Sequence, residues 1–79
     1  MRYVYILQSQ ADSARIYVGM TNDLVVRHKR HNGGQVSHTS KYKPWVVKTY
    51  LGFSDEVQAI AFDKYLKTAS GRAFAKKRL

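Results

Sequence analysis

Two phenols, a guanidinium, an imidazole and one carboxylate stand out as side chains with chemistry to offer. Tyr5 and Tyr17 close and open two short β-prone tripeptides, Tyr3-Val4-Tyr5 and Tyr17-Val18-Gly19. Arg27 and His31 are four apart, which on a helix puts them on one face. Asp63 is the only acid after Glu56, and helical spacing groups it with Ala59, Phe62 and Leu66. An arginine fork binds two phosphate oxygens and stays charged, and a histidine exchanges a proton near neutrality. A carboxylate on an apolar stripe is costly to leave alone. It either pairs with a base such as Arg27 or Lys67, or it holds a cation. Mg²⁺ suits such a place, because it keeps most of its waters and needs only one or two carboxylates plus a substrate phosphate. Each residue also has a plain structural reading: a packed strand tyrosine, a solvated basic helix, an ion pair. Together they are a workable set for hydrolysing a phosphodiester.

Other chemistries find less support. The chain has no cysteine, so disulfides, thiolate zinc sites and cysteine nucleophiles are out. His28, His31 and His38 match no common zinc spacing, and no serine sits in a nucleophile elbow. Charge is the strongest compositional signal, with 14 Lys and Arg against 5 Asp and Glu for a net +9. No acid occurs between Leu24 and Ser54 or from Lys64 onward. A field so one-sided favours a polyanion, in the first place nucleic acid. Charge alone does not separate RNA from DNA. A membrane partner is disfavoured, since no segment joins a basic face to a broad apolar one. His38, Lys41 and Lys43, in a polar basic stretch, are candidate phosphate-backbone contacts, as are Lys67 and Arg72. With no signal-peptide pattern and no long apolar run, the reading is a soluble cytoplasmic protein of open oligomeric state.

The elements that must position these groups can be read in outline. Seventy-nine residues suffice for one compact domain with a thin core, spanning 1–79. Arg2 to Ser9 is β-branched and aromatic with little polar alternation, which predicts a strand buried on both faces. Gln10 to Ala14 predicts a hairpin turn into a second strand, Arg15 to Met20. In that hairpin Tyr5 and Tyr17 come close to facing each other, and Gly19 lets backbone approach closely. Thr21 and Asn22 are candidate N-caps for a helix over about Asn22 to His31, ended at Asn32-Gly33-Gly34. Gly33 to Lys43 reads as a surface loop. Pro44 opens a third strand, Trp45 to Phe53, in which the odd-numbered residues alternate against Val46, Lys48 and Tyr50. Ser54 caps a second helix to about Thr68, Ser70-Gly71 breaks it, and Arg72 to Arg78 forms a basic terminal helix. The order β-β-α-β-α-α predicts an α+β fold, a small three-stranded antiparallel sheet flanked by helices.

These residues resemble, in order and spacing, the GIY-YIG nuclease domain. The resemblance rests on Tyr3-Val4-Tyr5, Tyr17-Val18-Gly19, the Thr21-to-Leu24 helix start, Arg27, His31-Asn32-x-Gly34, Pro44-Trp45 and the Ala59-to-Lys67 segment. It covers essentially the whole chain and is strongest toward the short stand-alone bacterial members, relatives of the excision-repair nuclease subunit. The family implies one-metal hydrolysis of DNA, with Mg²⁺ or Mn²⁺. Tyr17 would then be the general base, or the phenolate-like partner that takes the water's proton. Tyr5 would position water and phosphate, Arg27 would stabilise charge in the transition state, and His31 would assist by hydrogen bonding or proton transfer. Asp63 would hold the metal. Two positions depart from the family pattern: the first motif reads Tyr-Val-Tyr instead of Gly-Ile-Tyr, and Asp63 stands where the family has glutamate, one methylene longer. A non-catalytic nucleic-acid-binding module that keeps the fold is the alternative, and an adaptor that docks a larger repair protein is a third.

Overall fold

The computed structural model describes all 79 residues. Its centre is β1 (Arg2–Ser9), flanked by β2 (Ile16–Thr21) and β3 (Trp45–Phe53) in the order β2-β1-β3, antiparallel throughout. Because β1 is the middle strand, Val4, Tyr5, Ile6 and Leu7 are all buried and its two faces feed two separate clusters. One face places Val4 and Ile6 against Ala59 and Leu66. The other packs Tyr5 and Leu7 against Trp45. The α+β class, the hairpin and the doubly buried first strand are as the sequence predicts.

The third strand departs from the expected alternation. Thr49 pairs with Ile6 but Val47 pairs with Leu7, so Lys48 has no residue opposite. This one-residue bulge turns the strand over. Trp45 and Val47 lie with Tyr5 and Leu7, whereas Leu51 and Phe53 lie on the Val4 and Ile6 side. A single strand thereby serves both cores, which an unbroken alternation could not do.

Four helices complete the fold: α1 (Leu24–Asn32), the short α2 (Ser37–Ser40), α3 (Glu56–Leu66) and α4 (Ala69–Arg78). Segment 33–43 is therefore not all loop, since α2 interrupts it. The first helix is capped by Asp23, whose carboxylate accepts from the Val26 amide, rather than by Thr21 or Asn22. Likewise Asp55, not Ser54, caps α3. The break between the last two helices falls at Thr68, whose hydroxyl accepts from the Gly71 amide and starts α4 three residues before Arg72. Gly71 is needed there because a Cβ would collide with the Tyr65 carbonyl at the end of α3. No helix is long and apolar enough to cross a membrane.

Candidate active site

The hairpin register sets Tyr5 opposite Gly19 and Tyr17 opposite Leu7, so the two phenols are diagonal neighbours on one face. Their ring centroids are 6.3 Å apart. Gly19 supplies the room. A Cβ there would overlap the Tyr5 hydroxyl and stand 2.9 Å from the Tyr17 ring. Arg27 and His31, one turn apart on α1, both reach this point. The Arg27 Nε donates to the Tyr5 oxygen at 3.2 Å, and the Tyr5 hydroxyl lies 3.0 Å from His31 Nε2. The Tyr17 ring also packs on the imidazole, with centroids 4.8 Å apart.

Proton positions follow from the partners. Thr39 on α2 donates its hydroxyl hydrogen to the Val36 carbonyl at 3.2 Å, so its oxygen can only accept from His31 Nδ1, 2.7 Å away. Burial, reinforced by the nearby Arg27 and His28 charges, lowers His31 to about 4. The imidazole is therefore neutral near pH 7, protonated on Nδ1, with a lone pair on Nε2 for the Tyr5 O–H. Burial also raises the Tyr5 phenol, against the opposing pull of the Arg27 hydrogen bond, and the Tyr17 and Asp63 charges add to the rise. Tyr5 thus remains a donor. The result is a polarised chain running from Arg27 through Tyr5 and His31 to Thr39 and the Val36 carbonyl. Arg27 is held above its ordinary value first by Tyr5, with burial opposing and Tyr17 adding support.

Solvent access divides this group. His31 is 0% and Tyr5 1% exposed, so neither belongs to a solvated face. His31 can act on a bound molecule only through Tyr5. Tyr17 and Arg27 are half-buried at the surface and form the accessible part. Thr39 is the member sequence reading missed. It lies in a polar stretch without periodicity, and nothing local marks it as a partner for a histidine eight positions upstream. The support of α1 is similarly indirect. Asn32 accepts from the Trp45 amide and donates to its carbonyl, clamping the end of the helix to the start of β3, and His28 donates to the same carbonyl at 2.7 Å.

Asp63 approaches from α3, near enough for its charge to be felt at Tyr5. Both alternatives for it are present in part. Its Oδ2 pairs with Lys67 Nζ at 3.2 Å, while its Oδ1 is buried without any hydrogen-bond partner. An orphaned carboxylate oxygen on a side chain 14% exposed fits a divalent cation that retains its waters. No three His, Asp or Glu side chains converge into a denser metal cage. His38, Lys41 and Lys43 are exposed on the segment around α2, on the side of the sheet that supports His31. Lys67 and Arg72 are exposed on the other side, at the α3–α4 junction.

The chain has counterparts among known proteins. The GIY-YIG catalytic domain matches residues 1–78 of this chain. The structure-specific endonuclease subunit SLX1 homolog of Giardia intestinalis (strain ATCC 50803 / WB clone C6) is 34% identical over 65 residues. That stretch is 77% of this chain and 18% of the Giardia protein, so the chain spans less than two thirds of that relative's length.

Proposed function

The chain belongs to the GIY-YIG catalytic-domain family, and from that premise we propose that it is a metal-dependent endonuclease that hydrolyses DNA phosphodiester bonds. The observation that carries this reading is the Tyr5 hydroxyl, fixed between Arg27 and a neutral, buried His31. A guanidinium anchored in this way is a fixed donor that costs no reorganisation when charge develops on a phosphate. With its Nε committed to Tyr5, Arg27 presents its terminal nitrogens to two phosphate oxygens. Tyr17, beside that guanidinium, is the general base that takes a proton from the attacking water as the new P–O bond forms. The bond to the leaving oxygen breaks, and solvent protonates that oxygen. Tyr5 positions water and phosphate indirectly, by holding Arg27 through its Nε, and His31 is a positioning residue that holds Tyr5. Asp63 would hold Mg²⁺ or Mn²⁺, which when bound stabilises charge on the leaving oxygen. His38, Lys41, Lys43, Lys67 and Arg72 contact the DNA backbone. The name of the Giardia relative supports extending the reading to structure-selective cutting, and DNA repair or processing is the setting that the reading gives it.

A second reading, a binding module without turnover, draws on the Lys67–Asp63 pair, which occupies one carboxylate oxygen. Arg27→Ala separates the two. A nuclease loses turnover far more than affinity, at least about a hundredfold against a few-fold, since one preorganised donor to a transition state is worth about that much. A pure binder shows only the modest loss of affinity and a shallower salt dependence. Single-turnover cleavage of labelled DNA, read beside its Kd, makes the distinction.

A further inference from the structure

Opposite the phenol site, on the other face of β1, lies an open groove of about 660 Å³. Its floor is aliphatic, with Ile6, Val18 and Leu66 from three elements. Its rim is cationic and contains no acid: Lys48 from β3, Lys67 at the end of α3, Arg72 and Lys76 from α4, and Arg15 at the hairpin. Arg15 and Lys67 have carboxylate partners in Asp12 and Asp63, but Lys48, Arg72 and Lys76 enter no ion pair. Three features set this rim apart from a merely solvated basic surface. Lys48 is the extra residue of the β3 bulge, and bulges beside functional sites re-aim side chains. Arg72 and Lys76 stand one helical turn apart, where like charges repel unless an anion lies between them. Lys67 lies on the groove and on Asp63 at once, joining this face to the candidate metal carboxylate.

We infer that this groove is a second nucleic-acid contact, a track for the phosphodiester backbone of a strand leading away from the cleavage position. The cations come from four parts of the rim, β3, the end of α3, α4 and the hairpin, and a spread of that kind suits a row of phosphates better than a single small anion. The aliphatic floor accepts sugars and unpaired bases without reading sequence. The assignment deepens the nuclease reading and rests on it for the identity of the polyanion.

The test is fluorescence anisotropy of a labelled single-stranded oligothymidylate, in EDTA so that no turnover intervenes, across a salt series. Lys48→Gln with Arg72→Gln is compared with Lys29→Gln with Arg30→Gln, which removes equal charge from the exposed side of α1. The groove pair is expected to weaken binding at least about tenfold and to lower the salt slope by about 1.4, near 0.7 per lost phosphate contact. The α1 pair is expected to change affinity less than about twofold. Equal losses in both pairs, no loss in the groove pair, or no binding by the parent would each overturn the track. Amide-shift mapping on the unsubstituted protein guards against misfolded variants. Shifts should centre on Gln8, Lys48, Arg72 and Lys76, and shifts confined to α1 and α2 would contradict the proposal. Plasmid cleavage with Mg²⁺ is read separately, so a silent nuclease with a working groove, or the reverse, identifies which of the two claims has failed.

Discussion

At Tyr5 one hydroxyl satisfies two neighbours, accepting from the half-buried Arg27 and donating to the buried His31. Tyr5→Phe keeps the ring and strands both partners, so it should cost about 1–3 kcal/mol in urea unfolding as well as most of the cleavage rate. A stability unchanged to within error would show that the hydroxyl bridge is not formed. His31 gives a second check at the same scale. Its value in the fold, about 4, lies below the ordinary 6.5. Between those values the unfolded chain binds more protons than the folded one, so the contribution is fully present above pH 6.5 and is lost as pH falls toward 4. The loss is roughly 3 kcal/mol once both values are passed. An NMR titration of the His31 ring should show a midpoint near 4, and a midpoint near 6.5 would contradict the buried, neutral assignment.

The elements that hold these residues were legible wherever one local signal sufficed. Two β-prone runs around a small polar turn specify the hairpin, and with it the meeting of Tyr5 and Tyr17. The spacing of Arg27 and His31 specifies their common face. What the chain hides is set by packing. Trp45 to Phe53 alternates without a fault in sequence, and only the need to serve two cores puts the bulge at Lys48. The burial of His31 depends on α2, a four-residue helix in a stretch with no periodicity. The caps of α1 and α3 lie one or two residues later than their first candidates, because several competent capping residues stand in a row. Two substitutions test the elements. Gly19→Ala should force the Tyr5 ring aside, costing about 1–3 kcal/mol as an overpacked core does and lowering the Tm accordingly. Thr68→Ala should remove the α4 cap for about 1 kcal/mol, without the loss of cleavage that Gly19→Ala brings.

At the level of the whole molecule, net charge and a divided core explain the form. Only three ion pairs restrain 14 basic residues, and two of the five acids, Asp23 and Asp55, serve as helix caps. Most of the cations thus have no acidic partner within the fold, at some cost in self-repulsion. DNA affinity should fall steeply with salt, by about tenfold or more between 50 and 200 mM if several phosphates are contacted. A flat salt response in a binding titration would mean that the basic surface is solvation only. The central claim, catalysis through Asp63 and the phenol site, is tested most directly by nicking of supercoiled plasmid in Mg²⁺ or Mn²⁺, with Asp63→Ala and Asp63→Glu beside the parent. The account predicts metal-dependent nicking by the parent and none by Asp63→Ala. Nicking that survives Asp63→Ala, or a parent and an Asp63→Glu variant that bind the plasmid and never cut it, would contradict the account.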